Sequence, residues 1–124
     1  MVMEDTAILL TASRELAIGL AALLLSIPPL RRVERVPAPG AMLTHLATVR
    51  QPALLILDAG GLGETTPQVV ESVRAVSPDT RCLVLSDSVA DSRALASSGV
   101  ETVIVKGANP GELVDTIETL LGEG

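Results

Sequence analysis

The chain has 124 residues, 48% of them hydrophobic, a net charge of −6 and no Phe, Tyr or Trp. That length and apolar content suit one domain with a real core and exclude a disordered chain. The missing aromatics exclude single-strand nucleic-acid binding by base stacking, and the acidic balance argues against a phosphate-backbone partner.

The uncharged stretch 16–30 raises the question of a membrane span. It is too short to cross a bilayer, Pro28-Pro29 interrupts it, and Glu4 and Asp5 give the chain an acidic start unlike a secretory signal. A soluble, cytoplasmic protein with no membrane partner is the expectation. Cys82, the only cysteine, lies in an apolar strand and reads as a buried, inert thiol.

In chain order, residues 7–12 (Ala-Ile-Leu-Leu-Thr-Ala) read as a first short buried strand. Ser13 is placed to cap the helix over 14–26, with Glu15 in its first turn and Leu16, Leu20, Leu23, Leu24 and Ile27 on a broad apolar face. Residues 31–36 alternate charged and apolar, with Val33 and Val36 inward, which suits an edge strand. A helix over 41–50 follows Pro39-Gly40, with Met42, Leu43, Leu46 and Val49 at core spacing. His45 falls beside that stripe; with no second His or acid cluster it reads as a solvated side chain rather than a ligand.

The stretch 53–60, Ala-Leu-Leu-Ile-Leu-Asp-Ala-Gly, organises the rest. Its apolar run does not alternate, so both faces of the strand should be covered, as at the centre of a parallel sheet. The glycines Gly60, Gly61 and Gly63 read as a loop. Thr66 and Pro67 look like a cap and first helical residue for a helix over 67–76, burying Val69, Val70 and Val73. Residues 81–86 form a fourth strand, and 89–98 a weak helix closed by Gly99. A fifth strand covers 101–105. Asn109-Pro110-Gly111-Glu112 is a capping-box helix start, and the last helix runs to about 121, burying Leu113, Val114, Ile117, Leu120 and Leu121. Residues 1–121 are expected to form the domain, and 122–124 a tail or the start of a linker.

Five strands alternating with five helices predict a flavodoxin-like α/β fold, with a parallel sheet in the order 2-1-3-4-5 and helices on both faces. In such sheets chemistry gathers outside the carboxyl ends of the strands. Those ends present Ala12-Ser13, Asp58, Ser86 and Lys106, the only lysine. Two readings of Asp58 and Lys106 stay open: an ammonium placed to neutralise a phosphoryl group on the acid, or a structural ion pair. Asp58 can equally cap its own turn.

The order and spacing of these residues resemble the receiver domain of two-component response regulators, over nearly the whole chain. The resemblance implies that Asp58 stands at the phosphoryl-accepting position, Ser86 at the hydroxyl position ending the fourth strand, and Lys106 at the lysine after the fifth. Gly99-Val100 fits the small-residue turn before that strand. Other positions depart from the pattern. The adjacent acids that hold Mg²⁺ in the family are replaced by Ala12 and Ser13, which leaves Asp58 as the only remaining metal candidate; Glu15 and Asp87 are the nearest other acids. The family's fifth-strand aromatic is Val103, the proline after the lysine is Gly107, and the loop after Asp58 lacks the usual Met-Pro.

The resemblance therefore implies an atypical receiver, not an enzyme. It would act through protein–protein contact, with weak or absent phosphorylation at Asp58 and no cofactor beyond weak Mg²⁺. Its partners would be a sensor kinase, an output domain such as a helix-turn-helix module, or a second copy in a homodimer. A working Mg²⁺-dependent phosphoacceptor of a transcriptional regulator is the alternative. A small-molecule or anion-binding flavodoxin-like protein is another, although no glycines follow the first strand as phosphate binding would want. No Ser/His/Asp set and no metal-ligand spacing points to catalysis.

Overall fold

The computed structural model describes residues 2–48, 51–100 and 102–122. Val49, Arg50, Glu101, Glu123 and Gly124, which the sequence assigned to element ends or the tail, lie outside them. The strands are β1 (Val2–Leu10), β2 (Arg32–Val36), β3 (Gln51–Asp58), β4 (Arg81–Ser86) and β5 (Val103–Val105). The helices are α1 (Arg14–Leu24), α2 (Pro39–Thr48), α3 (Ala59–Leu62), α4 (Thr66–Val76), α5 (Val89–Ser97) and α6 (Pro110–Gly122), with a 3₁₀ turn over Gly63–Thr65. All four strand pairings are parallel, in the order β2-β1-β3-β4-β5. This is the flavodoxin-like arrangement the sequence predicts.

Because β3 is apolar on both faces, it divides two cores. Leu54 and Ile56 join Leu9, Leu83 and Leu85 beneath α1 and α6, where Leu20, Leu24, Ile117 and Leu120 cover them. Leu55 and Leu57 join Ile8, Leu10 and Val84 on the other side, under Met42, Leu46, Val70, Val73 and Leu95 of α2, α4 and α5. β2 shows the expected edge alternation, with Val36 buried and Val33 half-buried.

Local chemistry fixes the helix starts. Ser13 Oγ accepts from Leu16 N at 3.1 Å, Ser88 Oγ from Asp91 N at 3.1 Å, and Asn109 Oδ1 from Gly111 N at 2.7 Å. Each satisfies a first-turn N–H that no helical carbonyl reaches. Gly99, at φ +93°, closes α5 in the left-handed region.

Three expectations are corrected. β1 spans Val2–Leu10 rather than 7–12, because its backbone already pairs with β3 at Val2–Gln51, and it ends where Thr11 turns its hydroxyl to Asp58. The loop expected after Asp58 is helical, with Asp58 as its cap. The cap of α4 is Thr65, not Thr66; Thr66 is buried and its hydroxyl donates to Gly63 O at 2.8 Å.

Leu55 is fully buried in the centre of β3. Leu55→Ala should cost roughly 2–5 kcal/mol of unfolding free energy, and Val76→Ala on the exposed side of α4 within about 0.5 kcal/mol. Urea midpoints with unchanged m-values would check this.

Candidate functional site

Parallel register decides which side chains meet at the carboxyl rim. Asp58 pairs with Leu85, Leu85 with Ile104 and Ser86 with Val105, so Ser86 lies one residue and Lys106 two residues beyond the level of Asp58. Lys106 N donates to Ser86 O at 2.8 Å, which carries the β4–β5 ladder one step past the strand and fixes the root of the lysine. From there Lys106 Nζ reaches back to pair with Asp58 Oδ1. Both of the sequence's proposed charges therefore converge.

The carboxylate of Asp58 is 9% exposed and has a partner on each oxygen. Oδ1 takes Lys106 and also accepts from Gly60 N at 3.0 Å. Oδ2 accepts from Thr11 Oγ1 at 2.7 Å. Asp58 thus caps the α3 turn and forms the ion pair at the same time. Lys106 is shared in turn, since its Nζ also donates to Asp87 Oδ1 at 2.8 Å.

Ser86 is fully buried and its hydroxyl donates to Ser88 O at 3.2 Å. It stands at the rim, turned toward its own loop. His45 lies away from the rim, half-exposed, with Nε2 3.3 Å from Glu34 Oε2. Cys82 is half-buried, and burial pushes its thiol up to about 11 against a weaker opposing pull from Arg74.

Thr11 and Asp87 complete the site. Ala12 and Ser13 were expected at the first strand end; Ala12 is exposed and Ser13 caps α1, while Thr11, one position earlier, is buried against Asp58. The available signal was a hydroxyl closing an apolar run. Asp87 was visible as an acid next to Ser86, but its partner is Lys106. Glu15 is exposed in the first turn of α1. Among the described residues no three His, Cys, Asp or Glu side chains come together in a way that would hold a metal ion.

Gly60 makes this packing feasible. A Cβ there would sit 2.6 Å from Asp87 Oδ2 and 3.0 Å from Lys106 Nζ. Any side chain at position 60 would push Asp87 off the lysine.

No family model matches the sequence, and no curated protein matches it. Solved structures do match in shape. A response regulator from Thermotoga maritima is 19% identical with a TM-score of 0.77, covering 95% of this chain and 98% of its own. A LuxR family DNA-binding response regulator from Silicibacter pomeroyi is 18% identical with a TM-score of 0.79, covering 96% and 93%. The chain has the receiver-domain fold. A pilus assembly-related protein from Burkholderia pseudomallei shares it, at 16% identity and a TM-score of 0.79, covering 96% and 90%.

On this receiver fold, two departures noted in the sequence acquire a geometry. Val103 packs half-buried against the aliphatic core at the start of β5. Gly107, after the lysine, has φ +85°, which a proline ring fixed near −65° could not adopt.

Burial opposes ionisation of Asp58, but the hydrogen bonds from Lys106 and Thr11, the lysine charge and Gly60 N outweigh it. The carboxyl is held below its ordinary 3.8. Burial likewise opposes the Lys106 charge, yet Asp58 and Asp87 hold the ammonium above 10.5. With a depressed acid, its contribution to stability is present above pH 3.8 and is lost as pH falls through the folded value. With an elevated base, its contribution is present below 10.5 and is lost as pH rises through the folded value. Across neutral pH both are in place.

Lys106→Met leaves a buried carboxylate short of its cation, whereas Asp58→Asn leaves a lysine that keeps Asp87. The lysine variant should lose about 1–3 kcal/mol and the asparagine variant less. Denaturation from pH 2 to 7 should show a shallower acid limb in Asp58→Asn than in the wild type (range set by the ordinary carboxylate value).

Proposed function

We propose that this protein is a receiver-type signalling module that works by protein–protein contact, with phosphorylation at Asp58 weak or absent. The reading rests on one observation: the cation a phosphoryl group would need is already neutralised. Lys106 lies between Asp58 and Asp87.

In phosphoryl transfer, an oxygen of Asp58 would attack phosphorus while the bond to the leaving group breaks and its electron pair departs with that group. Charge then spreads over the phosphoryl oxygens and must be offset. Lys106 is the cation beside Asp58 but is shared with Asp87, and Ser86, the hydroxyl at the end of β4, is turned toward its own loop. Both oxygens of Asp58 are engaged, and the attack would have to come from the lone pair that Oδ2 keeps beside its bond from Thr11. Mg²⁺ fits this donor set poorly, because the neighbour on the β1 side is a neutral hydroxyl and Asp87 is spent on the lysine. A module with these features holds its partner in one state.

Intact-mass measurement after incubation with acetyl phosphate and Mg²⁺ tests the proposal, with Asp58→Asn as control. The expected result is no phosphoryl-sized gain in either protein. A gain in the wild type alone would establish the working phosphoacceptor instead.

A further inference from the structure

Helix α1 and the edge strand β2 leave a cleft of about 320 Å³ between them, a size that suits a small molecule. Its lining is mostly aliphatic: Leu9 of β1, Ala17, Ile18 and Ala21 of α1, and Val33 of β2. Ile18 is 72% exposed, more than any other exposed large apolar side chain among the described residues. Two charged residues border this surface, Arg14 at the start of α1 and Arg35 near the end of β2. No acid lines it. The pattern follows from the chain's periodicities, since positions 14, 17, 18 and 21 share a helix face and Val33 and Arg35 share a strand face. Glu34 falls on the opposite face of β2, 3.3 Å from His45.

The sign of the charge runs against the rest of the molecule. The chain has 15 acids and nine lysines and arginines. A larger cleft beside α5, of about 440 Å³, is lined by Glu64, Asp87 and Asp91 and by no cation. The α1–β2 cleft instead gathers two arginines, and among the described residues neither of them makes an ion pair. Two like charges at one apolar surface gain from a shared anion. Arg35 adds a separate observation. Its Nε is buried with no hydrogen-bond partner, the only such side-chain nitrogen or oxygen among the described residues. Folded proteins seldom leave a buried donor unanswered, so an acceptor brought to this guanidinium is a gain rather than an exchange.

We infer that this cleft binds a small amphipathic anion, an aliphatic chain ending in a carboxylate or phosphate. The headgroup is held by Arg14 and Arg35, whose planar forks match the paired oxygens of either group. The chain lies along α1, where Arg14 to Ala21 covers about 10.5 Å of helix axis. That contact takes Ile18 and Val33 out of water. A bare anion would leave the aliphatic lining wet, and a hydrocarbon would leave both guanidiniums unpaired. Only a ligand with both parts satisfies the whole cleft. No chemistry at Asp58 enters this inference.

Calorimetric titration of the full chain tests it, with octanoate, octyl phosphate, octylamine and acetate as probes and circular dichroism to verify folding of each variant. Octanoate or octyl phosphate should bind saturably at one site, and the tighter of the two identifies the headgroup. Octylamine, with the wrong charge, and acetate, with no chain, should give no saturable heat. Arg14→Met, Arg35→Met and the cleft-filling Ala21→Phe should each weaken binding by about tenfold or more. Arg93→Met, on the exposed side of α5, removes the same charge elsewhere and should leave binding unchanged. A folded wild type that binds neither octyl anion would overturn the inference. So would octylamine binding as tightly as octanoate, or Arg93→Met weakening binding as much as Arg35→Met.

Discussion

A single buried carboxylate at the end of the central strand sets the terms for everything around it. Removing a charge from water is costly, and a charge held in a fold must be paired and hydrogen-bonded. Asp58 meets that demand through three different segments: the lysine after β5, the hydroxyl after β1 and the amide of the turn that follows β3. Each contact is made at a strand end, where parallel register has already brought the chain. The rim is consequently closed by polar bonds, while the two faces of the sheet below it are covered by aliphatic side chains.

The strand ends of this chain bring an acid, a hydroxyl and a lysine to one rim, and their chemistry depends on what else comes close. Here the neighbour on the β1 side is neutral, and a second acid approaches from the β4 side. The local charge is that of two carboxylates sharing one ammonium. Each member of that grouping has an opposite charge in contact at neutral pH. A shared fold is not by itself a shared activity.

Much of this was legible in the sequence because it depends on local pattern. The unbroken apolar run of β3 announced a strand covered on both faces, and alternation in β2 announced an edge. Asp58, Ser86 and Lys106 could be placed on one rim once the strand order followed from connection length and handedness. What escaped was set by pairing and by space. β1 begins at Val2 because β3 offers it a partner there, which propensity does not encode. The glycine-rich segment after Asp58 reads as a loop by composition, yet it coils because the aspartate caps it. Thr11 and Asp87 are ordinary residues in sequence, and only the closeness of three strand ends gives them partners.

Residues 86–88 each hold a different object. Ser86 keeps the carbonyl of Ser88, Asp87 holds the lysine, and Ser88 starts α5 by accepting the Asp91 amide. Three successive side chains thus couple the ion pair to the first turn of a helix. The ammonium ties that segment to the end of β3 through Asp58. The contact to the lysine and the cap of α5 therefore sit on adjacent residues, 87 and 88, at the rim of the sheet.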